Sequence, residues 1–153
     1  MTKILVVEDD QDIRALLVDS LLDLGYDVVE AADGGAGFQR AVAEPPDIIL
    51  LDVMMPVMDG FEVLGKLKSN PTTSSVPVIM VSARGQELDI NTAMRTGAWG
   101  YLVKPWDFAD LETVVRGAAG QSRPYSSHSE SSSEGSSRTT ASSSSSSRSL
   151  SPI

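Results

Sequence analysis

Five strand-length apolar runs alternate with five helical patterns through the first 120 residues, and that alternation leaves few folds open. The runs, rich in β-branched residues, fall at Lys3–Val7, Asp27–Glu30, Asp47–Leu51, Val78–Ser82 and Gly100–Val103. In the first helical pattern Ile13, Leu16, Leu17, Leu21 and Leu24 keep helical spacing and predict one apolar stripe, closed by Gly25. Further helices are predicted over Ala36–Ala43, ahead of Pro45–Pro46, and from Phe61 after the capping residue Asp59. The last two are predicted over Leu88–Thr96, closed by Gly97, and over Phe108–Ala118. Strands alternating with helices imply a parallel sheet covered on both faces, joined by right-handed crossovers. Runs 1 and 3 are the most continuously apolar, as strands buried on both sides should be. The predicted fold is a three-layer, doubly wound α/β domain with a five-stranded parallel sheet in the order 2-1-3-4-5.

In that order the carboxyl ends of all the strands lie on one edge of the sheet, with the ligand crevice between strands 1 and 3. The polar residues that end the runs then become informative. Strand 1 runs into Glu8 and Asp9, strand 3 into Asp52, strand 4 into Ser82 and strand 5 into Lys104. Each has an ordinary explanation alone. An Asp ahead of Ile13 caps a helix, and either Asp10 or Asp12 suits that role. A strand-end Asp or Ser accepts turn or backbone hydrogen bonds, and a Lys–Pro lysine is solvated. Their joint occurrence on successive strand ends is the signal.

Three carboxylates in one crevice repel unless a cation sits among them. A hard ion such as Mg²⁺ takes one or two carboxylates and keeps waters and phosphate as its other ligands. No cysteine is present, and the single histidine, His128, lies in a serine-rich stretch. Thiolate chemistry, disulfides and histidine-built metal sites are therefore excluded. Asp52, alone at the end of a central strand, is the carboxylate suited to attack phosphorus and form an aspartyl phosphate. Lys104 supplies a point charge and Ser82 a hydroxyl donor for phosphoryl oxygens.

The motifs ILVVEDD (4–10), LDVMMPVMDGFEVL (51–64), PVIMVSA (77–83) and GAWGYLVKPW (97–106) closely resemble the receiver (response-regulator) domains of two-component signalling. The resemblance spans residues 3 to about 118. It implies a flavodoxin-like receiver fold with Asp52 as the phosphoacceptor. It also implies Mg²⁺ held directly by Asp9, through water by Glu8, and by Asp52 and the backbone carbonyl of Met54. Ser82 and Tyr101 match the family's two switch positions, Lys104 its phosphoryl-binding lysine, and Lys104–Pro105 its cis bond. Met54 and Arg84 occupy positions that tune phosphoryl lifetime in relatives. The implied donor is a sensor histidine kinase or a histidine phosphotransfer protein. The implied output is through the helix 4–strand 5–helix 5 face to a target protein. Ala98–Trp99–Gly100 departs from the family, which often carries acids there.

A net charge of −9 gives no cationic footprint for nucleic acid, so direct nucleic-acid binding is not expected. No run approaches a membrane span or a secretory leader, which predicts a cytoplasmic protein. Residues 1–120 are expected to form the receiver domain. Residues 121–153, dominated by serine, are expected to be a disordered tail carrying no output domain. The function read from this is a stand-alone, phosphorylation-dependent response regulator, not an enzyme beyond its own phosphorylation and dephosphorylation. The alternative is a phosphorelay intermediate that hands the phosphoryl group on to a histidine. A flavodoxin-like electron carrier would need a phosphate-cradling loop where this chain has Glu8–Asp9–Asp10–Gln11–Asp12. An aspartyl-phosphate phosphatase would need a second acid where Met54 stands.

Overall fold

A computed structural model describes residues 1–83 and 87–120, without the side chains of 83 and 87–90. The expected tail at 121–153 and Arg84 lie outside the described residues. Five strands alternate with five helices: β1 (Lys3–Val7), α1 (Gln11–Asp23), β2 (Asp27–Ala31), α2 (Gly34–Ala43), β3 (Ile48–Asp52), α3 (Gly60–Ser69), β4 (Val78–Ala83), α4 (Glu87–Thr96), β5 (Gly100–Lys104) and α5 (Phe108–Gly120). All strand pairs are parallel, and the sheet order is β2-β1-β3-β4-β5, as the alternation predicts.

Side chains alternate across the sheet and build two cores. Leu5, Val7, Ile49, Leu51, Val78 and Met80 point to the face covered by α2, α3 and α4. Ile4, Val6, Ile48, Leu50, Ile79 and Val81 point to the face covered by α1 and α5. Every residue of β3 is buried, whereas edge strand β2 is half open. Full burial of a β-branched or leucine side chain is worth about 1.5–3 kcal/mol, so the middle strands anchor the fold. Run 3 begins one residue later than expected. Asp47 instead ties the start of β3 to the start of β1, its carboxylate accepting the Lys3 N–H at 2.8 Å and its own N–H donating to Lys3 O at 2.8 Å.

The helix ends follow local chemistry. Asp10, not Asp12, caps α1: its Oδ1 accepts the N–H groups of Asp12 (2.9 Å) and Ile13 (3.0 Å). Asp33 caps α2 through the Ala36 N–H, which starts that helix two residues before the expected Ala36. Asp59 caps α3 through the Glu62 N–H. The predicted stripe on α1 needs one correction. Leu17 and Leu21 are buried and Ile13 and Leu24 pack against them, but Leu16 is 56% exposed. Successive helical residues are rotated by a quarter turn or more, so burying Leu17 and Leu21 turns their neighbour Leu16 toward solvent.

Helix α1 stops at Gly25, with φ +93°. There the Gly25 N–H reaches Leu22 O and the Tyr26 N–H reaches Leu21 O, a Schellman closure. A Cβ on Gly25 meets no neighbour within 4 Å, so the residue is needed for its backbone conformation alone. Gly25→Ala is expected to lower stability by about 1 kcal/mol, read from urea denaturation. An unchanged midpoint would contradict it.

Candidate functional site

Parallel register brings the strand ends level. Val7 pairs with Leu51, Asp52 with Val81, Ser82 with Val103 and Ala83 with Lys104. Glu8, Asp9, Asp52, Ser82 and Lys104 therefore converge at the crevice between β1 and β3, the point where the winding of the sheet reverses. One carboxylate oxygen from each of Glu8, Asp9 and Asp52 lies within 4.8 Å of the others. Glu8 and Asp52 are buried and Asp9 is exposed, so the cluster opens to solvent on the Asp9 side. The Lys104 Nζ stands 3.2 Å from Asp52 Oδ1 and 3.7 Å from Glu8 Oε1. Lys104–Pro105 is cis.

Burial pushes the Glu8 carboxyl up from an ordinary 4.5 to about 7; the Asp10 N–H on its Oε2 opposes this, and the Asp52 charge adds to it. Burial also raises Asp52, against the pull of Lys104. Carboxyls raised in the folded state contribute stability that is full below their unfolded value and lost as pH rises through the folded one. In chelator, the protein is therefore expected to unfold at less urea at pH 8 than at pH 5. The loss should fall between pH 4.5 and about 7, and millimolar Mg²⁺ should reverse it at pH 8. Equal midpoints at both pH values would refute this.

The donor set fits a hard cation. Glu8 Oε1 is buried without a hydrogen bond, and so is Ser82 Oγ. An all-oxygen group of carboxylates suits Mg²⁺, and an unpaired buried hydroxyl suits an incoming oxygen ligand. Met54 follows in the loop after β3 and is 62% exposed. That loop is closed at its base by the Gly60 N–H on Val53 O at 2.9 Å.

Tyr101 sits apart from the crevice on β5. It is 1% exposed, within the core that includes Ala93 and Ala98. Trp99, in the segment that departs from the family, is buried in the opposite core, where its ring lies against the backbone of Gly117.

One residue at the site was not singled out from sequence. Arg14, on the first turns of α1, hydrogen-bonds the backbone carbonyl of Glu8 at 2.8 Å. A single arginine on a helix exposes no such role in sequence; only its distance to that carbonyl does.

Fold and site define a doubly wound α/β protein with an acidic crevice at its switch point. The chain belongs to the response regulator receiver domain family, whose model matches residues 4–116. It is a signalling module of two-component systems. Among its relatives is the DNA-binding dual master transcriptional regulator RpaA of Synechocystis, 40% identical over 116 residues that cover 76% of this chain and 48% of that protein. Another is the alkaline phosphatase synthesis transcriptional regulatory protein PhoP of Bacillus subtilis, 38% identical over 114 residues, covering 74% and 47%. The chain spans about half the length of these curated relatives. Among solved structures, chemotaxis protein CheY4 of Vibrio cholerae superposes with a TM-score of 0.72 at 33% identity, covering 76% of this chain and 97% of that one. The receiver domain of NtrX from Brucella abortus gives 0.73 at 30%, covering 78% and 99%. Receiver domains bind Mg²⁺ at an acidic site, and Glu8, Asp9 and Asp52 form an acidic cluster in this chain. Among the described residues no helix is long and apolar enough to cross a membrane.

Proposed function

We propose that the chain is a phosphorylation switch in which Asp52 takes a phosphoryl group from a histidine kinase or a histidine phosphotransfer protein. One observation carries the reading: three carboxylates gather within 4.8 Å, with an ammonium 3.2 Å from the oxygen of Asp52. In the transfer, an Asp52 oxygen bonds to phosphorus while the P–N bond of a phosphohistidine breaks, its electron pair staying on the imidazole nitrogen. Lys104 neutralises charge on the phosphoryl oxygens, and the buried Ser82 hydroxyl donates to one of them. Asp9 would hold Mg²⁺ directly, Glu8 through water, with Asp52 and the Met54 carbonyl as further ligands. When bound, the ion supplies positive charge to the phosphoryl oxygens. The chain's part in chemistry ends with its own phosphorylation and dephosphorylation.

Output passes by protein contact. A hydrogen bond from Ser82 to the phosphoryl group, with Tyr101 held inward, fixes one arrangement of the α4–β5–α5 face. We assign that face to a target protein. The names of two relatives speak of DNA binding or transcriptional regulation. For this chain the net charge of −9 favours a protein as the direct partner of the receiver unit. We place that unit at residues 1–120, with 121–153 as an appended serine-rich segment, and assign the protein to the cytoplasm.

The test is phosphorylation by a small phosphodonor with Mg²⁺, followed by mapping of the modified peptide. Modification within the peptide carrying Asp52 supports the reading; modification elsewhere defeats it.

A further inference from the structure

The acidic loop after β1 is tied down by a residue that is neither a carboxylate nor a phosphoryl binder. The Arg14 Nη1 donates to Glu8 O at 2.8 Å and reaches Asp9 O at 3.5 Å. Its Nε donates to Glu30 Oε1 at 3.0 Å, on edge strand β2. The Arg14 side chain is only 16% exposed, although Glu30 is 54% exposed. The guanidinium thus spans three elements, from α1 to β2 and to the loop that carries Glu8 and Asp9. Two further bonds, each donated by a backbone N–H, complete the arrangement. The Glu8 N–H donates to Ala31 O at 3.1 Å, and the Asp10 N–H donates to Glu8 Oε2 at 3.1 Å.

We propose that Arg14 is a positioning residue for the cation site: it fixes the main chain of Glu8 and Asp9 so that their carboxylates meet Asp52 before any ion arrives. The inference rests on the Mg²⁺ reading given above. Its physical basis is that several carboxylates repel one another when no cation is present. Lys104 offsets part of that repulsion at the Asp52 and Glu8 oxygens but does not hold the main chain of the loop; Arg14, a rigid fork with several donors, does so at little further entropy cost. Groups that hold metal ligands in place are worth about 10- to 100-fold in metal affinity.

The competing role for Arg14 is that of a counter-charge beside an acidic loop. The two roles differ in sign. If Arg14 acts only through its charge, removing it makes the crevice more negative, and Mg²⁺ binds more tightly. If it positions the loop, removing it loosens the ligands, and Mg²⁺ binds more weakly.

The experiment is calorimetric Mg²⁺ titration of the wild-type chain, Arg14→Ala, Arg14→Lys, Glu30→Gln and the Arg14→Ala/Glu30→Gln double variant at fixed ionic strength. Each protein's urea midpoint in chelator is measured alongside. Arg14→Ala is expected to weaken Mg²⁺ binding by about 10-fold or more. Arg14→Lys keeps the charge but lacks the fork, and should also weaken binding. Glu30→Gln should weaken it less, and should add nothing once Arg14 is gone. Should Arg14→Ala not fold, Arg14→Lys decides alone. Wild-type affinity in Arg14→Lys, or tighter binding in Arg14→Ala, overturns the positioning role and leaves the metal site standing. A wild-type chain that takes up no Mg²⁺ at millimolar concentration ends both.

Discussion

Asp52→Asn is expected to bring phosphoryl incorporation down to background, while the wild-type chain gains the mass of one phosphoryl group in the same mixture of Mg²⁺ and small phosphodonor. The substitution keeps size and shape but puts an amide where a nucleophilic carboxylate oxygen stood. No neighbouring acid should take over. Glu8 is buried, pushed up to about 7 and beside Lys104, and Asp9 sits on the solvent side of the cluster. The fold should survive, because the change removes a charge that burial already disfavours in its ionised form. Intact-mass measurement with circular dichroism on the same sample checks both halves. Equal incorporation in the two folded proteins would remove Asp52 from the phosphoacceptor role.

Gly60→Ala should cost about 3 kcal/mol, the upper end of ordinary overpacking, and should disturb the site as it does so. A Cβ at Gly60 would collide with Asp52 O and stand 2.8 Å from Val53 Cα. Both are backbone atoms, so no side chain can rotate away. Relief requires moving the end of β3 or the start of α3. Yet β3 is buried along its whole length, and Val63, Leu64 and Leu67 fix α3 in the core. Gly60 also closes the loop by its N–H on Val53 O. The strain therefore falls on Asp52, one residue back. Urea denaturation of Gly60→Ala should show the loss, and Mg²⁺ affinity should fall with it. A midpoint within about 0.5 kcal/mol of wild type, the usual range for surface changes, would show that the loop yields freely.

Much of the fold was legible because its signals are local. A strand or helix announces itself by which neighbours in sequence are apolar, and Asp59, Gly25 and Gly97 end or begin elements by chemistry confined to a few residues. Lys104, Ser82, Asp52 and the Glu8–Asp9 pair were legible for a related reason. Each closes an apolar run, and a parallel sheet turns those closures into one edge. The choice between Asp10 and Asp12 as cap could not be read, since both are acids with suitable spacing and only the turn geometry separates them. The exposure of Leu16 escaped for the same kind of reason: it shares the helical spacing but not the buried side.

The sequence by itself determined the order of elements, the apolar faces and the set of polar residues at the strand ends, because all of these follow from periods of two and 3.6 along the chain. Tertiary structure decided distances and environments. The approach of Lys104 to Asp52, the elevation of the Glu8 carboxyl, the burial of Tyr101 and the grip of Arg14 on Glu8 O all depend on how separate elements pack. Register, burial and side-chain direction are set only when the two cores close on the sheet. No stretch of chain carries in its own pattern the electrostatics of a crevice built from four strand ends.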